Sequence, residues 1–383
     1  LKDLGCSSNA ARIAELYLTD DRSFKHDYKT IPTGLKSTLS FVFSHTGRGE
    51  SFVKRLSALG NILKNGDDIA QEMILSRCTR GSEIARSLHF SERVCRAIYH
   101  LDEHWDGSGR PDRLRGDAIP LFSRIALLAQ IVDVFRSAVR PEGALAEVRA
   151  RAGSWLDPKL VQVFETVARD EGFWRLLASP GVDRHLLYIA PSEDALPIDE
   201  DYLDDITRAF GQVIDAKSPF TSGHSERVAD YAVAVAEKMD VLPSRRRWLR
   251  RAAALHDVGK LGVSSAILDK PSKLEEDEWS SMRSHALHTH SILGRVPAIA
   301  DLAPVAAAHH ERLDGQGYPF GLDQRTISRE TRIITVCDFY DALTADRPYR
   351  SALPRQKAFE IMARDVGHAI DGDCFEALKA VVG

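Results

Sequence analysis

The sequence lacks the features that place a chain in a membrane or on a nucleic-acid polymer. No apolar run approaches the roughly 18 residues that a membrane-spanning helix requires, and the N-terminus does not resemble a signal peptide. The 51 basic and 55 acidic residues leave a formal charge of -4, so an anionic ligand has to be attracted by a local site. We therefore expect a soluble cytoplasmic protein that binds neither a membrane nor a nucleic-acid polymer.

Cysteine is scarce, and its spacing is unsuited to a structural role. The chain has an odd number of cysteines and no CxxC pair, which argues against a disulfide framework and against a zinc knuckle. The five are Cys6, Cys78, Cys95, Cys337 and Cys374. A reducing compartment is the simplest setting for them.

Alternation of apolar and polar residues, the pattern of a half-buried strand, is also missing, so we predict an all-α fold. Apolar residues recur instead at spacings of three and four, as at Leu203, Ile206 and Phe210, which indicates an amphipathic helix that ends near Ser218. Similar helical patterns cover residues 224–240, 245–260, 330–345 and 354–367. The second half of the chain is thus a succession of helices.

One pattern occurs twice along the chain. The stretches Asp106–Asp133 and Asp314–Asp341 align without a gap at an offset of 208 residues and share a DGxGxP loop and a final aspartate. A length of 383 residues also favours two domains over one. We predict domains at 1–195 and 196–383 with a linker near 189–201, the first truncated at its start and carrying an insertion near 20–67.

Histidine and aspartate are concentrated in the second half, where imidazole and carboxylate ligands together suit iron, manganese or zinc. The candidates are His224, His256, Asp257, His285, His309, His310 and Asp338. Seven ligands exceed the needs of one ion that also binds water and substrate, so a two-metal centre is favoured. Taken singly, His224 and His256 are also compatible with ordinary structural histidines. An unpaired Asp338 in an apolar helix would cost several kcal/mol.

Three motifs in this half resemble the HD-GYP family. They are HDVGK at His256–Lys260, HHE at His309–Glu311 and DGQGYP at Asp314–Pro319. The resemblance extends from about Asp201 to the C-terminus and includes SPFTSGH, ILDKPSKL and DRPYR. Members of this family are all-α, metal-dependent phosphodiesterases that degrade the bacterial second messenger cyclic di-GMP.

The resemblance implies that the seven candidates hold two divalent ions, iron or manganese, with Asp257 as a catalytic and bridging ligand. Some members bind a third ion through a glutamate, but this chain has Phe220 at that position, which favours two ions. Lys260 is implied to be catalytic and to face the substrate phosphate. The remaining residues implied to bind substrate are Arg347, Arg350, Gly317, Tyr318 and Pro319.

Some of these assignments have structural alternatives. Arg347 and Arg350 also fit a solvated helix end, and Asp314 also fits a turn anchor. In the family, the loop that contains Gly317 and Tyr318 is implicated in contacts with partner domains such as diguanylate cyclases.

The first copy of the pattern has lost ligands. At the 208-residue offset, three ligands of the second copy align with Leu101, Asp102 and Gln130. The opening LKDLGC matches LHDVGK and pairs Lys2 with His256, and a protonated lysine does not ligate a metal. We predict that the first domain lacks catalysis and serves a regulatory or dimerising role.

The favoured function is hydrolysis of cyclic di-GMP to pGpG and onward to GMP. Another cyclic dinucleotide, such as cyclic GMP-AMP, is an alternative substrate, because the residues that set specificity are not identified by the motifs. A non-catalytic cyclic-dinucleotide sensor or interaction scaffold is the alternative of a different class.

Overall fold

The computed structural model describes residues 5–19, 21, 24, 27, 35–47, 51–139, 141–189, 198–218, 222–346 and 350–383, which form helices joined by turns and loops. Within these ranges no strand forms, and isolated bridges pair Ala152 with Leu156 and Val366 with Ile370. The all-α prediction is confirmed. None of the described helices combines the length and the apolar character needed to cross a membrane.

Two compact units divide the chain. One comprises Leu1–Cys6 and Ser23–Leu203, and the other comprises Ser7–Arg22 and Asp204–Gly383. Helix α1 (Ala10–Tyr17) therefore belongs to the second unit, whereas the sequence prediction assigns it to the first domain. The predicted boundary at residues 195 and 196 lies outside the described residues. The domain limits 1–195 and 196–383 stay a proposal.

Eight helices of the first unit have both ends within the described residues. They are α2 (Leu35–His45), α3 (Phe52–Ser87), α4 (Glu92–Tyr99), α5 (Leu121–Val139), α6 (Pro141–Ala150), α7 (Pro158–Val167), α8 (Glu171–Ala178) and α9 (Val182–Ile189). Its apolar core lies between α5, α6 and α7, where Leu127, Val148 and Val161 are buried. Burial of each such side chain contributes about 1.5–3 kcal/mol.

Helix α10 (Glu200–Asp215) leads into the second unit. The helices that follow are α11 (His224–Lys238), α12 (Pro243–Ala254), α13 (Ser265–Leu268), α14 (Glu276–Gly294), α15 (Ala303–Ala307), α16 (Arg329–Thr344), α17 (Arg355–Met362) and α18 (Gly372–Val382). Short 3-10 turns cover Val258–Gly262 and Pro297–Leu302. The predicted helical segments at 224–240 and 330–345 coincide with α11 and α16, whereas α12 and α17 end at Ala254 and Met362, short of the ends predicted at 260 and 367.

Helix α11 is the central element of the second unit because it packs against α12, α16 and α18. Its inner face is formed by Val228, Ala232 and Val235, each fully buried. Alanine on this face lets the neighbouring backbones approach closely, while the buried valines supply apolar contact. The helix begins at His224, so its packing fixes the position of the first ligand candidate.

The start of α11 is held by the end of α10. Gly223 takes a left-handed conformation with φ 69°, which turns the chain into the helix. The carboxylate of Asp215 then accepts hydrogen bonds from the backbone N–H and the hydroxyl of Ser225, at 3.3 and 2.7 Å. The neighbours of His224 on both sides, Gly223 and Ser225, are therefore fixed in position.

The two copies of the DGxGxP loop have the same internal contacts. Glu103 accepts hydrogen bonds at 2.7 and 2.9 Å from the backbone N–H groups nine and eleven residues later, and Glu311 does the same at 2.6 and 2.9 Å. A side chain at Gly109 or Gly317 would collide with the backbone nitrogen five residues earlier, at 2.1 and 2.4 Å. The duplication inferred from sequence is thus confirmed in the fold of both loops.

Candidate metal centre

The second unit gathers imidazole and carboxylate groups into two adjacent clusters. In the first cluster, ligand atoms of His224, His256 and Asp338 lie within 4.8 Å of one another. In the second, the same spacing joins His285, His309 and His310. All of the predicted ligands except Asp257 belong to one or the other cluster. Asp338 and His310 are partly exposed and the other four are buried, so each cluster has one member at its open side.

Asp257 lies between the two clusters and directs one oxygen at each. Its Oδ2 atom is 3.5 Å from Nε2 of His224 and 3.4 Å from Nε2 of His256. Its Oδ1 atom is 3.5 Å from Nε2 of His285 and 3.7 Å from Nε2 of His309. A carboxylate arranged in this way is suited to bridge two cations.

The histidine rings are oriented by hydrogen bonds at Nδ1. His256, His285 and His309 each donate from Nδ1 to the carbonyl oxygen three residues earlier, at 2.7, 2.6 and 2.6 Å. His224 instead directs Nδ1 at Oδ2 of Asp341, at 2.7 Å. A proton held on Nδ1 leaves the Nε2 lone pair free for a metal ion.

Three polar atoms of the site are buried without a hydrogen-bond partner. They are Nε2 of His224, Nε2 of His256 and Oδ1 of Asp257. Buried polar atoms are seldom left unsatisfied, since each costs about 1–3 kcal/mol. All three atoms carry lone pairs, two at the first cluster and one at the second, so the residues present fit divalent metal ions.

The two clusters differ in their electrostatics. Burial opposes the charge on His224, but the carboxylates of Asp257, Asp338 and Asp341 outweigh it and raise the pKa of His224 to about 10. The same balance raises the pKa of His256 to about 9. The first cluster therefore attracts positive charge strongly.

The second cluster is made of imidazoles alone. Burial, reinforced by the ring of His285, lowers the pKa of His310 to about 3. Burial likewise lowers the pKa values of His285 and His309. These rings stay neutral near pH 7, which is the protonation state that a metal ligand requires.

Lys260 lies against the bridging carboxylate. Its Nζ forms an ion pair with Oδ2 of Asp257 from the 3-10 turn that follows the HD pair. The side chain of Lys260 is only 18% exposed, so its charge is directed into the site. This position is compatible with the predicted contact to a substrate phosphate, which stays a proposal.

The GYP loop places an aromatic ring on the second cluster. The ring of Tyr318 lies 4.8 Å from that of His310 and 6.4 Å from that of His285, measured between centroids. A side chain at Gly317 would approach the carbonyl oxygen of His310 to 2.6 Å, so only glycine permits this approach. The peptide bond between Tyr318 and Pro319 is cis.

Of the two arginines predicted to bind substrate, Arg350 contacts backbone carbonyls of its own chain. The guanidinium of Arg350 donates to the carbonyl oxygens of Ala342 and Leu343, both at 2.8 Å, and of Ser351 at 3.0 Å. Arg350 thereby satisfies carbonyls at the C-terminal end of α16. Arg347 and Phe220 lie outside the described residues. Substrate binding by Arg350 stays a prediction.

Sequence reasoning missed three residues that support the ligands. Asp341 orients His224 and is itself held by the guanidinium of Arg227, at 2.6 and 3.0 Å. Thr289 donates its hydroxyl to the carbonyl of His256 at 2.9 Å and accepts the N–H of Gly259 at 3.0 Å. The spacing of Asp341 three residues after Asp338 was the available signal, because it sets both on one helix face.

The first unit has an arginine at the position of His285. A side chain at Gly5 would approach the carbonyl oxygen of Arg77 to 1.9 Å, and one at Gly259 would approach that of His285 to the same 1.9 Å. The guanidinium of Arg77 forms an ion pair with Asp102, the counterpart of His310. Among the described residues of this unit, no cluster of metal-ligating side chains forms. Lys2 and Asp3 lie outside the described residues.

Comparison with known proteins identifies the family. The sequence model of the HD domain matches residues 57–160 and 208–374, one segment in each unit. The 3'3'-cGAMP-specific phosphodiesterase 3 of Vibrio cholerae is 52% identical over 99% of this chain and 82% of its own length. The cyclic di-GMP phosphodiesterase response regulator RpfG of Xanthomonas campestris is 33% identical over 66% of this chain and 62% of its own length.

A solved structure agrees with this assignment. The crystal structure of a cyclic GMP-AMP specific phosphodiesterase of V. cholerae matches with a TM-score of 0.61 at 44% identity. The match covers 100% of this chain and 92% of that one. The HD, HHE and GYP motifs all lie at the metal centre described above. The chain therefore belongs to the HD domain family, in its HD-GYP branch.

Proposed function

We propose that the second unit hydrolyses 3'3'-cyclic GMP-AMP with the aid of two divalent metal ions. At the coarser level the chain is a cyclic-dinucleotide phosphodiesterase of the HD-GYP type, as its named relatives are. The sequence interpretation placed cyclic di-GMP first and cyclic GMP-AMP as the alternative. A relative that matches 99% of the chain at 52% identity is named for cyclic GMP-AMP, which supports the alternative.

The observation that carries the two-metal proposal is the position of Asp257 between the two clusters. One carboxylate oxygen faces His224 and His256, and the other faces His285 and His309. Bound metal ions would supply Lewis-acid stabilisation of phosphate charge and an acidified water. Iron and manganese both suit these ligands, and we propose one of the two as the native metal.

The chain's own residues then position the substrate. Lys260 offers a partly buried ammonium beside Asp257, where it stabilises negative charge that develops on the phosphate. The ring of Tyr318 packs on His310 and forms one wall of the site. Cleavage of one phosphodiester bond yields a linear dinucleotide, and cleavage of both yields mononucleotides.

The first unit is proposed to act as a regulatory or dimerising domain. Its described residues retain the loop fold through Glu103 and Gly109 but replace the metal ligands. A homodimer and contacts of the Gly317–Pro319 loop with diguanylate cyclase domains stay proposals. The intact ligand set of the second unit argues against a purely non-catalytic sensor.

A product assay tests the proposed substrate. Protein purified without oxygen and loaded with Mn or Fe is given 3'3'-cyclic GMP-AMP, cyclic di-GMP and cyclic di-AMP, and the products are separated by chromatography. We expect the highest kcat/KM for cyclic GMP-AMP and no turnover by the Asp257→Ala variant. A higher kcat/KM for cyclic di-GMP would overturn the substrate assignment, and equal turnover by Asp257→Ala would overturn the site.

A further inference from the structure

We propose that Trp279 and Arg283 form a platform that stacks a purine base of the substrate beside the metal centre. This inference rests on the proposed cyclic-dinucleotide phosphodiesterase activity and adds two residues that the motifs do not include. Both lie on α14, four residues apart, so their side chains share one face of the helix. The same helix carries the ligand candidate His285.

The platform is continuous with the metal centre. The guanidinium carbon of Arg283 lies 5.8 Å from the ring centroid of Trp279 and 5.5 Å from that of Tyr318. The Tyr318 ring in turn lies 4.8 Å from His310. A row of flat groups therefore runs from the ligand candidate His310 outward to Trp279.

The platform is open to a ligand. Trp279 is 46% exposed, and Arg283 is exposed as well. No described carboxylate pairs with Arg283, so its charge is not neutralised by an ion pair within the described residues. An exposed tryptophan beside a cation is a favourable surface for a nucleobase, because every base presents a π face.

A second tryptophan–arginine pair in the same unit has polar contacts within the protein, as expected for a structural role. Arg245 stacks on Trp248 at 3.6 Å, but its guanidinium is also paired with Glu330 at 2.6 Å. The indole N–H of Trp248 donates to Asp301 at 2.5 Å. Both members of that pair have polar partners within the protein, which sets it apart from the platform.

The first unit provides an internal comparison. At the 208-residue offset, the platform residues and Tyr318 are replaced by Gln71, Leu75 and Arg110. Gln71 now donates to the carbonyl of Pro111 at 2.9 Å, which is a contact within the protein. The unit that lacks the metal ligands thus also lacks the platform, although it keeps the glutamate and glycine that hold the loop. The platform residues and the metal-ligand candidates thus occur together in one unit and are both replaced in the other, which supports a role for Trp279 and Arg283 at the site.

Kinetic variants test the platform. Trp279→Gln and Arg283→Leu introduce the residues that the corresponding helix of the first unit already carries, so helix α14 is expected to form. We expect each to raise KM for 3'3'-cyclic GMP-AMP by roughly 5- to 150-fold, the range for loss of one base–aromatic stack. Arg245→Leu, which removes the other stacked arginine, is the matched control and should change KM less than twofold.

A small phosphodiester substrate distinguishes a failure of the platform proposal from a failure of the proposed function. Methyl p-nitrophenyl phosphate is too short to reach from the metal ligands to Trp279. We expect the Trp279→Gln substitution to raise KM for the cyclic dinucleotide by a much larger factor than KM for this diester. Equal factors would overturn the platform, whereas a wild-type protein that hydrolyses neither substrate would overturn the proposed function.

Fluorescence provides a readout that does not depend on turnover. A bisphosphorothioate analogue of 3'3'-cyclic GMP-AMP, which resists hydrolysis, is titrated into the metal-loaded protein while tryptophan emission is recorded. We expect quenching that persists in Trp248→Phe and is lost in Trp279→Phe. Quenching that is unchanged in Trp279→Phe would overturn the platform even if the kinetic variants are impaired.

Discussion

The guanidinium of Arg77 pairs with the carboxylate of Asp102 at the two positions that His285 and His310 occupy in the second unit. In the first unit, the positive charge at this place therefore belongs to the side chain of Arg77. The second unit instead has neutral imidazoles there, which can bind a metal ion. Arginine is charged at every accessible pH, so this pairing does not depend on metal supply. The loss of catalysis that we propose for the first unit is compatible with retention of its fold for this reason.

Removal of Arg77 is predicted to destabilise the first unit. The two side chains are 22% and 20% exposed, so Arg77→Ala leaves a largely buried Asp102 without a cation. We expect a loss of about 1–3 kcal/mol in the free energy of unfolding, between the values for surface and buried pairs. Urea unfolding followed by circular dichroism measures it. Arg86 lies on the same helix as Arg77 and forms an exposed pair with Glu92, so Arg86→Ala is the control. An equal loss of stability in this variant would contradict the prediction.

Metal content is predicted to depend on which carboxylate is removed. Asp257 faces both clusters, whereas Asp338 contacts only His224 and His256. We expect about two ions per chain in the wild type, about one in Asp338→Asn and fewer than one in Asp257→Asn. Inductively coupled plasma mass spectrometry on anaerobically purified protein counts them. A wild-type content near four would show that the first unit also binds metal.

The sequence was sufficient for the parts of the site that depend on residue type and order. The seven ligand candidates could be named because His256 and Asp257, His309 and His310, and the GYP loop stand in short motifs. The structure gathers these side chains in one place, and their role as metal ligands stays a prediction. The all-α fold followed from helical periodicity that recurs along the second half. These features are local, although α12 and α17 end at Ala254 and Met362, earlier than the periodicity predicts.

Other features could not be predicted because they depend on contacts distant in sequence. Asp341 looked like part of the repeated scaffold, since the first copy has Asp133 at the same offset, and only the fold shows it beside His224. Residues 7–22 belong to the second unit through contacts distant in sequence, such as the one between Asp21 and Lys217, which lie 196 residues apart. No local pattern encodes such a contact.

Asp341 is predicted to tune metal affinity without binding the metal. Its Oδ2 accepts the Nδ1 proton of His224 at 2.7 Å and so holds the ring in the ligating orientation. We expect Asp341→Asn to weaken metal binding at the first cluster by roughly 10- to 100-fold. Competition with a chromophoric chelator measures the dissociation constant. Asp133→Asn, at the same offset in the first unit, should leave it unchanged, and an equal effect of both substitutions would contradict the role.

The buried pair of Asp21 and Lys217 is predicted to hold the N-terminal segment on the second unit. Their side chains are 2% and 5% exposed and meet at 2.9 Å, and Asp21 also accepts the N–H of Ser265 at 3.0 Å. Asp21→Ala should cost about 3–5 kcal/mol, because it leaves a buried ammonium unpaired. The double variant Asp21→Leu, Lys217→Met should recover much of this loss. Thermal unfolding measures both, and a double variant no more stable than Asp21→Ala would contradict the ion pair as the cause.

Acid is predicted to destabilise the first unit through His104. Its ring stacks on Trp155 with centroids 4.2 Å apart, and burial lowers its pKa from 6.5 to about 4 despite the nearby carboxylate of Asp106. In the folded chain His104 stays neutral as the pH falls from 6.5 to 4, while the unfolded chain takes up a proton. Stability is therefore complete above pH 6.5 and declines as the pH falls towards 4.

His104→Gln removes the titrating group. The glutamine side chain is polar and can still reach Ser108, whose hydroxyl lies 3.0 Å from Nδ1 of His104 in the wild type. We expect the variant to lose less stability than the wild type between pH 7 and pH 4, because its unfolded state no longer takes up that proton. Urea unfolding at half-unit steps of pH yields the two curves, and their difference isolates His104 from the carboxylates that titrate in the same range. Parallel curves would show that the neutral, stacked His104 is not the source of the acid sensitivity.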